Sequence, residues 1–294
     1  MFPHSSSDNA SSTVLGSFPN ETLMAIFLDL SPATLTSLAR VCRRWRAVAE
    51  WFLYTNIFIS DTFSPASPFP FNTSMCCQTL ISHPHLATGL RKLHIQWISN
   101  PWEDYHYPDR RLAIALLRLS SAISLSANLE SLDLHLGFPP YEELSGLPSC
   151  FPSGDTVFHS LRYLSLSTVG YFPHDQLLQL LRNMPSMQDL RVPDYCDRQL
   201  PLRPHTIPSL TSFCGSPRVA AMVLPGRPVQ SLTLIGQDDV SEPDLSRMTR
   251  TSVPLRHLDL SAILVSPRLL QDVSRKLSMV ESLKVTFTLL YPGI

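Results

Sequence analysis

The chain has 294 residues and a formal net charge of −1, which gives no electrostatic basis for gripping nucleic acid or an anionic membrane surface. Charged residues make up 16%, against about 25% in a typical globular chain, and 26 prolines stand against only 10 glycines. Much of the surface must therefore be built from Ser, Thr, Asn, Gln and apolar side chains, as suits a protein that works inside complexes, and no apolar run reaches the ~18 residues that would span a bilayer.

The opening stretch, Met1 to Thr13, is serine-rich, with neither a basic start nor an apolar run. It is not a signal peptide, and residues 1–14 are expected to form a disordered tail. The cysteines Cys42, Cys76, Cys77, Cys150, Cys196 and Cys214 follow no disulfide-framework spacing, so the expected compartment is reducing, cytoplasmic and/or nuclear.

The first strongly patterned segment runs from Phe18 to Ile59. Pro19 occupies a first-turn position, where its missing N–H has no partner to lose, and Glu21 favours the positive end of the helix dipole. Leu23, Ile26, Phe27 and Leu30 follow at i, i+3, i+4 and i+7 on one helical face. Ser31-Pro32 restarts the chain as a cap plus first-turn proline. Leu35 and Leu38 then mark a short second helix, and Val41, Trp45, Val48 and Phe52 the inner face of a third. The first helix is apolar all round, because Met24, Ala25 and Leu28 fill its other face. Such a helix must be covered on both sides, which three short helices cannot do alone.

In order, Pro19, Glu21, Leu23, Ile26, Phe27, Leu30, Pro32, Leu35, Leu38, Val41, Cys42, Trp45, Ala49, Leu53, Tyr54 and Ile57 closely resemble the F-box. Phe18 and Tyr54 depart mildly from the Leu and Trp that are commoner there. The resemblance implies a three-helix unit, residues 15–60, that docks on a Skp-type adaptor and, through it, on the cullin of a ubiquitin ligase. It implies that Pro19, Leu23, Ile26, Phe27, Leu30, Leu35 and Val41 carry the contact, while Cys42 and Trp45 pack the helices together.

Residues 61–85, with Pro65, Pro68 and Pro70, read as a proline-rich linker. Beyond it an L-x-x-L-x-L pattern in degenerate form begins at Leu90, Leu129, Leu161, Met187, Val229, Leu255 and Val280, with a weaker copy at Leu210. Successive starts lie 39, 32, 26, 23, 19, 26 and 25 residues apart. Helical patterns fall between several of them, at 111–125, 174–184 and 267–277. A repeated strand and helix stacks into a parallel sheet. The expected fold is therefore α/β: an N-terminal three-helix F-box, then an irregular leucine-rich-repeat-like horseshoe over residues 86–294. The Asn or Cys usual after the last strand leucine is missing, since Ile98, Gly137, Val169, Tyr195, Gln237, Ile263 and Thr288 stand there. The uneven, proline-rich version looks like the large fungal F-box families.

Strand residues between the leucines share one face. Lys92, His94, Tyr163, Arg191, His257, Asp259 and Lys284 are the candidates there for binding a target protein. Cys76, Cys77, His83 and His85 cluster, but the spacing fits no familiar zinc site. His94, His135 and His257 recur near Asp133 and Asp259, and a shared repeat position accounts for them without acid–base chemistry. No G-x-S-x-G and no phosphate-cradling glycine loop is present. The sequence thus points to a non-catalytic adaptor with no cofactor, no metal, no nucleic acid and no membrane partner. The alternative is a non-degradative scaffold that uses its F-box only to bind protein.

Overall fold

The computed structural model describes residues 18–64, 69–98, 110–137, 148–152, 156–167, 174–192, 202–203 and 205–286. The expected tail, Pro65, Pro68, Cys196, Val169, Tyr195 and Thr288 lie outside them. The chain divides into two compact units, Met1–Ile57 and Phe58–Ile294.

The N-terminal unit holds α1 (Asn20–Phe27), α2 (Pro32–Leu38) and α3 (Arg43–Thr55). Pro19 caps α1 instead of lying inside its first turn. Ser31 caps α2 as its sequence suggests, its hydroxyl accepting the Thr34 N–H at 3.2 Å. Leu23, Phe27, Leu35, Val48 and Ala49 form a buried core, with Leu30, Leu38, Trp45 and Phe52 packed around it. Phe27 meets the Trp45 ring edge-to-face at 5.7 Å. Arg44 of α3 ties the helices together. Its Nε donates to Asn20 Oδ1 at 2.8 Å and its Nη2 to the Phe18 carbonyl. Arg44→Ala removes both ties, so urea denaturation should show this unit weaker by about 1–2 kcal/mol.

The second unit consists of strands β1 (Asn56–Thr62, which begins at the boundary), β2 (Lys92–Ile98), β3 (Ser131–Leu136), β4 (Tyr163–Ser167), β5 (Asp189–Arg191), β6 (Ser212–Gly215), β7 (Ser231–Ile235), β8 (His257–Ala262) and β9 (Ser282–Lys284). The helices are α4 (Phe71–Ser82), α5 (Pro84–Gly89), α6 (Arg110–Leu125), α7 (His174–Arg182), α8 (Pro217–Val223), α9 (Glu242–Met248) and α10 (Pro267–Lys276). The nine strands form one sheet in chain order, and each from β2 onward runs parallel to the next.

The register explains the leucines. Leu93, Leu132, Leu164, Leu190, Phe213, Leu232 and Leu258 are direct partners across successive strands, and all are buried. Each such side chain stabilises the fold by roughly 1.5–3 kcal/mol. Leu283, the last rung, is exposed. Just before the strands a second ladder repeats. The carbonyls of Arg91, Glu130, Arg162, Gln188, Thr211, Gln230 and Arg256 each accept two consecutive N–H groups from the next repeat, at 2.8–3.1 Å. The weak copy at Leu210 is thereby a full member, β6.

The 61–85 linker is corrected by the structure. Asp61 and Thr62 close β1, and residues 71–82 are helical. The buried Asp61 carboxylate accepts the N–H groups of Asn72 and Thr73, both at 2.9 Å, and the Thr73 hydroxyl at 2.6 Å. That satisfies two of the free donors at the start of α4. Trp97 of β2 donates Nε1–H to the same hydroxyl at 2.9 Å. A short polar chain therefore joins β1, α4 and β2. Proline-based punctuation alone gave no sign of this helix.

Candidate protein-interaction surfaces

The structure separates the candidate adaptor-binding residues into two sets. Leu23, Phe27 and Leu35 are buried in the core of the three helices, and Leu30 is half-buried. Pro19, Ile26 and Val41 are exposed. Val41 does not belong to the inner face of α3. It lies in the turn before it, with its N–H donated to the Leu38 carbonyl at 3.0 Å. Cys42, expected to pack the helices together, is the exposed N-cap of α3, whereas Trp45 does pack against Phe27. Leu28, which the sequence placed only on the far side of α1, is 67% exposed. The all-round apolarity of α1 is thus resolved into a buried edge of Leu23 and Phe27 and an uncovered edge of Ile26 and Leu28.

Residues 15–60 match the family model described as F-box-like. The chain carries an F-box-like domain. No curated protein matches the chain. Domains of this kind bind Skp-type adaptors in general, and the exposed large apolar residues of this one include Ile26 and Leu28 on α1, Val41 in the α2–α3 turn and Trp51 on α3.

The candidate target-binding residues fall on two adjacent rows of the sheet's polar face. Lys92, Tyr163 and His257 belong to the row Lys92–Ser131–Tyr163–Asp189–Ser212–Ser231–His257–Ser282. His94, Arg191, Asp259 and Lys284 belong to the row two residues on, which also carries Asp133 and Cys214. Several are paired. His94 Nδ1 lies 2.9 Å from Asp133 Oδ2, with His135 Nε2 3.8 Å from Oδ1. The Arg191 guanidinium lies 5.8 Å from the Tyr163 ring centroid and 3.7 Å from Asp189 Oδ1. Lys284 Nζ lies 3.1 Å from Asp259 Oδ2. Lys92 and His257 have no side-chain partner among the described residues.

Electrostatics on this face is local. Desolvation alone would raise the Asp259 carboxyl, but hydrogen bonds from Ser261 and the Lys284 ammonium outweigh it and hold it below the usual carboxylate range. The Lys284–Asp259 contact therefore persists above the ordinary carboxylate pKa and is lost as pH falls through the lowered one. Burial pushes the Cys214 thiol up, with Arg191 opposing.

Sequence patterns alone missed Phe58. It belongs to β1, which carries no repeat signature, yet its exposed ring stacks on His94 at 4.3 Å. The alternation along β1, with Ile57 and Ile59 buried and Phe58 exposed, is the signal that could have found it.

The Cys76–His85 cluster does not converge. Among the described residues no group of three or more His, Cys, Asp or Glu is placed to hold a metal ion. Burial pushes the thiols of Cys76 up to about 11 and Cys77 up to about 12, so both are protonated at neutral pH. Among the described residues no helix is long and apolar enough to cross a membrane.

Proposed function

We propose that this protein is a non-catalytic adaptor of a Skp–cullin–F-box ubiquitin ligase. On this reading it works in the cytoplasm and/or nucleus, and its F-box-like domain holds the Skp-type subunit. Its C-terminal unit, a leucine-rich-repeat-like array, presents a target protein, and the ubiquitin-transfer chemistry belongs to other subunits. The observation that carries this reading is the F-box-like match over residues 15–60. The uncovered edge of Ile26, Leu28 and Val41 beside a well-packed core supports it. Leaving several such side chains in water forgoes roughly 1.5–3 kcal/mol each, which favours association.

The division between buried and exposed residues sharpens the test. Ile26→Asp with Val41→Asp alters only exposed positions, so the domain should stay folded while a 1:1 complex with a Skp-type adaptor on a sizing column disappears. Leu23→Asp or Phe27→Asp should instead unfold the three helices, because a carboxylate would be buried in their core. A wild-type chain that forms no complex with the adaptor would remove the proposal. Cys42 offers a second readout. Lying next to Val41 and exposed, its thiol should be alkylated readily in the free protein and several-fold more slowly in the complex, measured by mass spectrometry of its peptide. Equal rates would place the interface elsewhere.

For the target, we propose the polar rows of the sheet as the docking face. Lys92, His94, Tyr163, Arg191, His257, Asp259 and Lys284 lie together there, with Phe58 at the β1 end. Charge reversal of Lys92, Arg191 and Lys284 that left target capture unchanged would exclude this face.

A further inference from the structure

The last repeat of the second unit is left open. Val280, Leu283 and Val285 occupy the three apolar positions that every earlier repeat buries, yet Leu283 is 46% exposed and both valines are only half-buried. Met279, four residues before Leu283, is 63% exposed. The same position in the seven earlier repeats holds Gly, Asn, Ser, Ser, Ser, Pro and Pro, so a large apolar side chain stands there in the last repeat alone. A repeat array that ends in water carries a polar outer face. This end presents Met279 and Leu283 instead.

The backbone is open at the same place. The carbonyls from Arg91 to Arg256 each accept two consecutive N–H groups from the repeat that follows. Glu281 is next in that series, and among the described residues no backbone N–H is donated to its carbonyl. β9 is also the last strand of the sheet, and an unpaired strand edge is a template for another strand. The seven parallel pairings from β2 to β9 show what such an edge accepts. In each, the incoming segment is extended, runs in the same direction, and sets an apolar side chain on the rung between mostly polar neighbours.

We propose that the β9 edge is a docking surface, and that its occupant is an extended segment of a partner protein that continues this pattern. The segment pairs parallel to β9, delivers two consecutive N–H groups to the Glu281 carbonyl and lays a Leu, Ile or Val side chain on Leu283. Main-chain bonds supply the affinity of such strand addition and the apolar rung its selectivity, while Met279 adapts its shape to the guest. The edge does not depend on the ligase reading, so failure of the adaptor-binding test leaves it standing.

The test uses the full-length chain and a fluorescein-labelled peptide copying residues 255–262, LRHLDLSA. In the array the Arg256 and His257 N–H groups of this segment already share the Gln230 carbonyl, so the probe carries the required donor pair. The control is the same peptide with Leu258→Pro, which cannot join a strand edge through that residue. Fluorescence anisotropy should show saturable binding of the copied peptide and at least about tenfold weaker binding of the proline form. In the chain, Leu283→Asp should weaken the copied peptide by about tenfold or more, a loss of ~1.4 kcal/mol or greater. Leu283→Asn adds no charge at this exposed rung, so it should weaken binding several-fold with an unchanged thermal midpoint. Equal binding of both peptides, or affinity indifferent to both Leu283 variants, would overturn the proposal. No binding would do so as well, and is the outcome if residues 287–294 fill the edge themselves. So would a chain that self-associates and becomes monomeric on Leu283→Asp, since the occupant would then be a second copy.

Discussion

Replacing Arg227 by alanine is expected to lower the stability of the C-terminal unit by on the order of 3–5 kcal/mol, near the upper end of what a single substitution does. Its side chain is 1% exposed, yet no carboxylate pairs with it among the described residues. Burial pulls the guanidinium below its ordinary pKa, and what compensates is four backbone carbonyl acceptors. Nε donates to the Thr206 carbonyl and Nη2 to that of Arg203, both at 2.9 Å, while Nη1 donates to those of Val223 and Pro225. The last two belong to the end of α8 and its exit, where helical carbonyls lack intrahelical donors. One side chain therefore closes α8 and fastens the carbonyls of Arg203 and Thr206 to it.

The fastening matters because Ile207, the next residue, has φ 49°, which is unusual for a β-branched side chain and costs about 1–3 kcal/mol. Ile207 is also buried, a gain of roughly 1.5–3 kcal/mol that only just balances the strain. The Arg227 bonds decide the outcome. Urea denaturation followed by far-UV circular dichroism should show the loss for Arg227→Ala. Arg227→Lys should recover less than half, because one ammonium cannot span carbonyls on both sides. A loss below about 1 kcal/mol for Arg227→Ala, well under the cost of breaking such a buried network, would refute this role.

The second large effect is expected at Asp61. Asp61→Ala strips the acceptor from two α4 N–H groups and from the Thr73 hydroxyl, at a buried position. Each orphaned buried donor costs about 1–3 kcal/mol, so a loss of roughly 3 kcal/mol is expected. Asp61→Asn keeps one acceptor oxygen and should cost about half as much. Faster amide exchange should be confined at first to α4, with the β5–β9 region unchanged. Equal acceleration throughout the sheet would mean that Asp61 does not act through α4.

Much of the architecture was legible. The L-x-x-L-x-L starts at Leu90, Leu129, Leu161, Met187, Leu210, Val229, Leu255 and Val280 each precede a strand, because alternate burial leaves a period of two that no helix shares. The helices α6, α7 and α10 fell within one or two residues of expectation. What escaped were elements fixed by distant partners. The α4 helix depends on Asp61 and Arg118, 11 and 44 residues away from the groups they bind, and helical periodicity in FNTSMCCQTLIS is obscured by Thr73 and Ser74 pointing inward. The short helices α8 and α9 lay below the length at which periodicity is convincing. At the F-box-like domain, matching residue types did not separate core from surface. Leu23 and Ile26 read alike in sequence, and only the third helix decides that the first is covered and the second is not.

The bifurcated carbonyls that run from Arg91 to Arg256 carry a consequence for how the chain acquires its structure. Every rung joins one repeat to its immediate successor and to nothing further along the chain, so assembly can begin at any well-packed pair and extend like a zipper in both directions. Cooperativity should accordingly be graded along the array. The β8–β9 end, whose Leu283 rung stays wet, is where fraying starts, and the densely bonded β2–β4 end opens last.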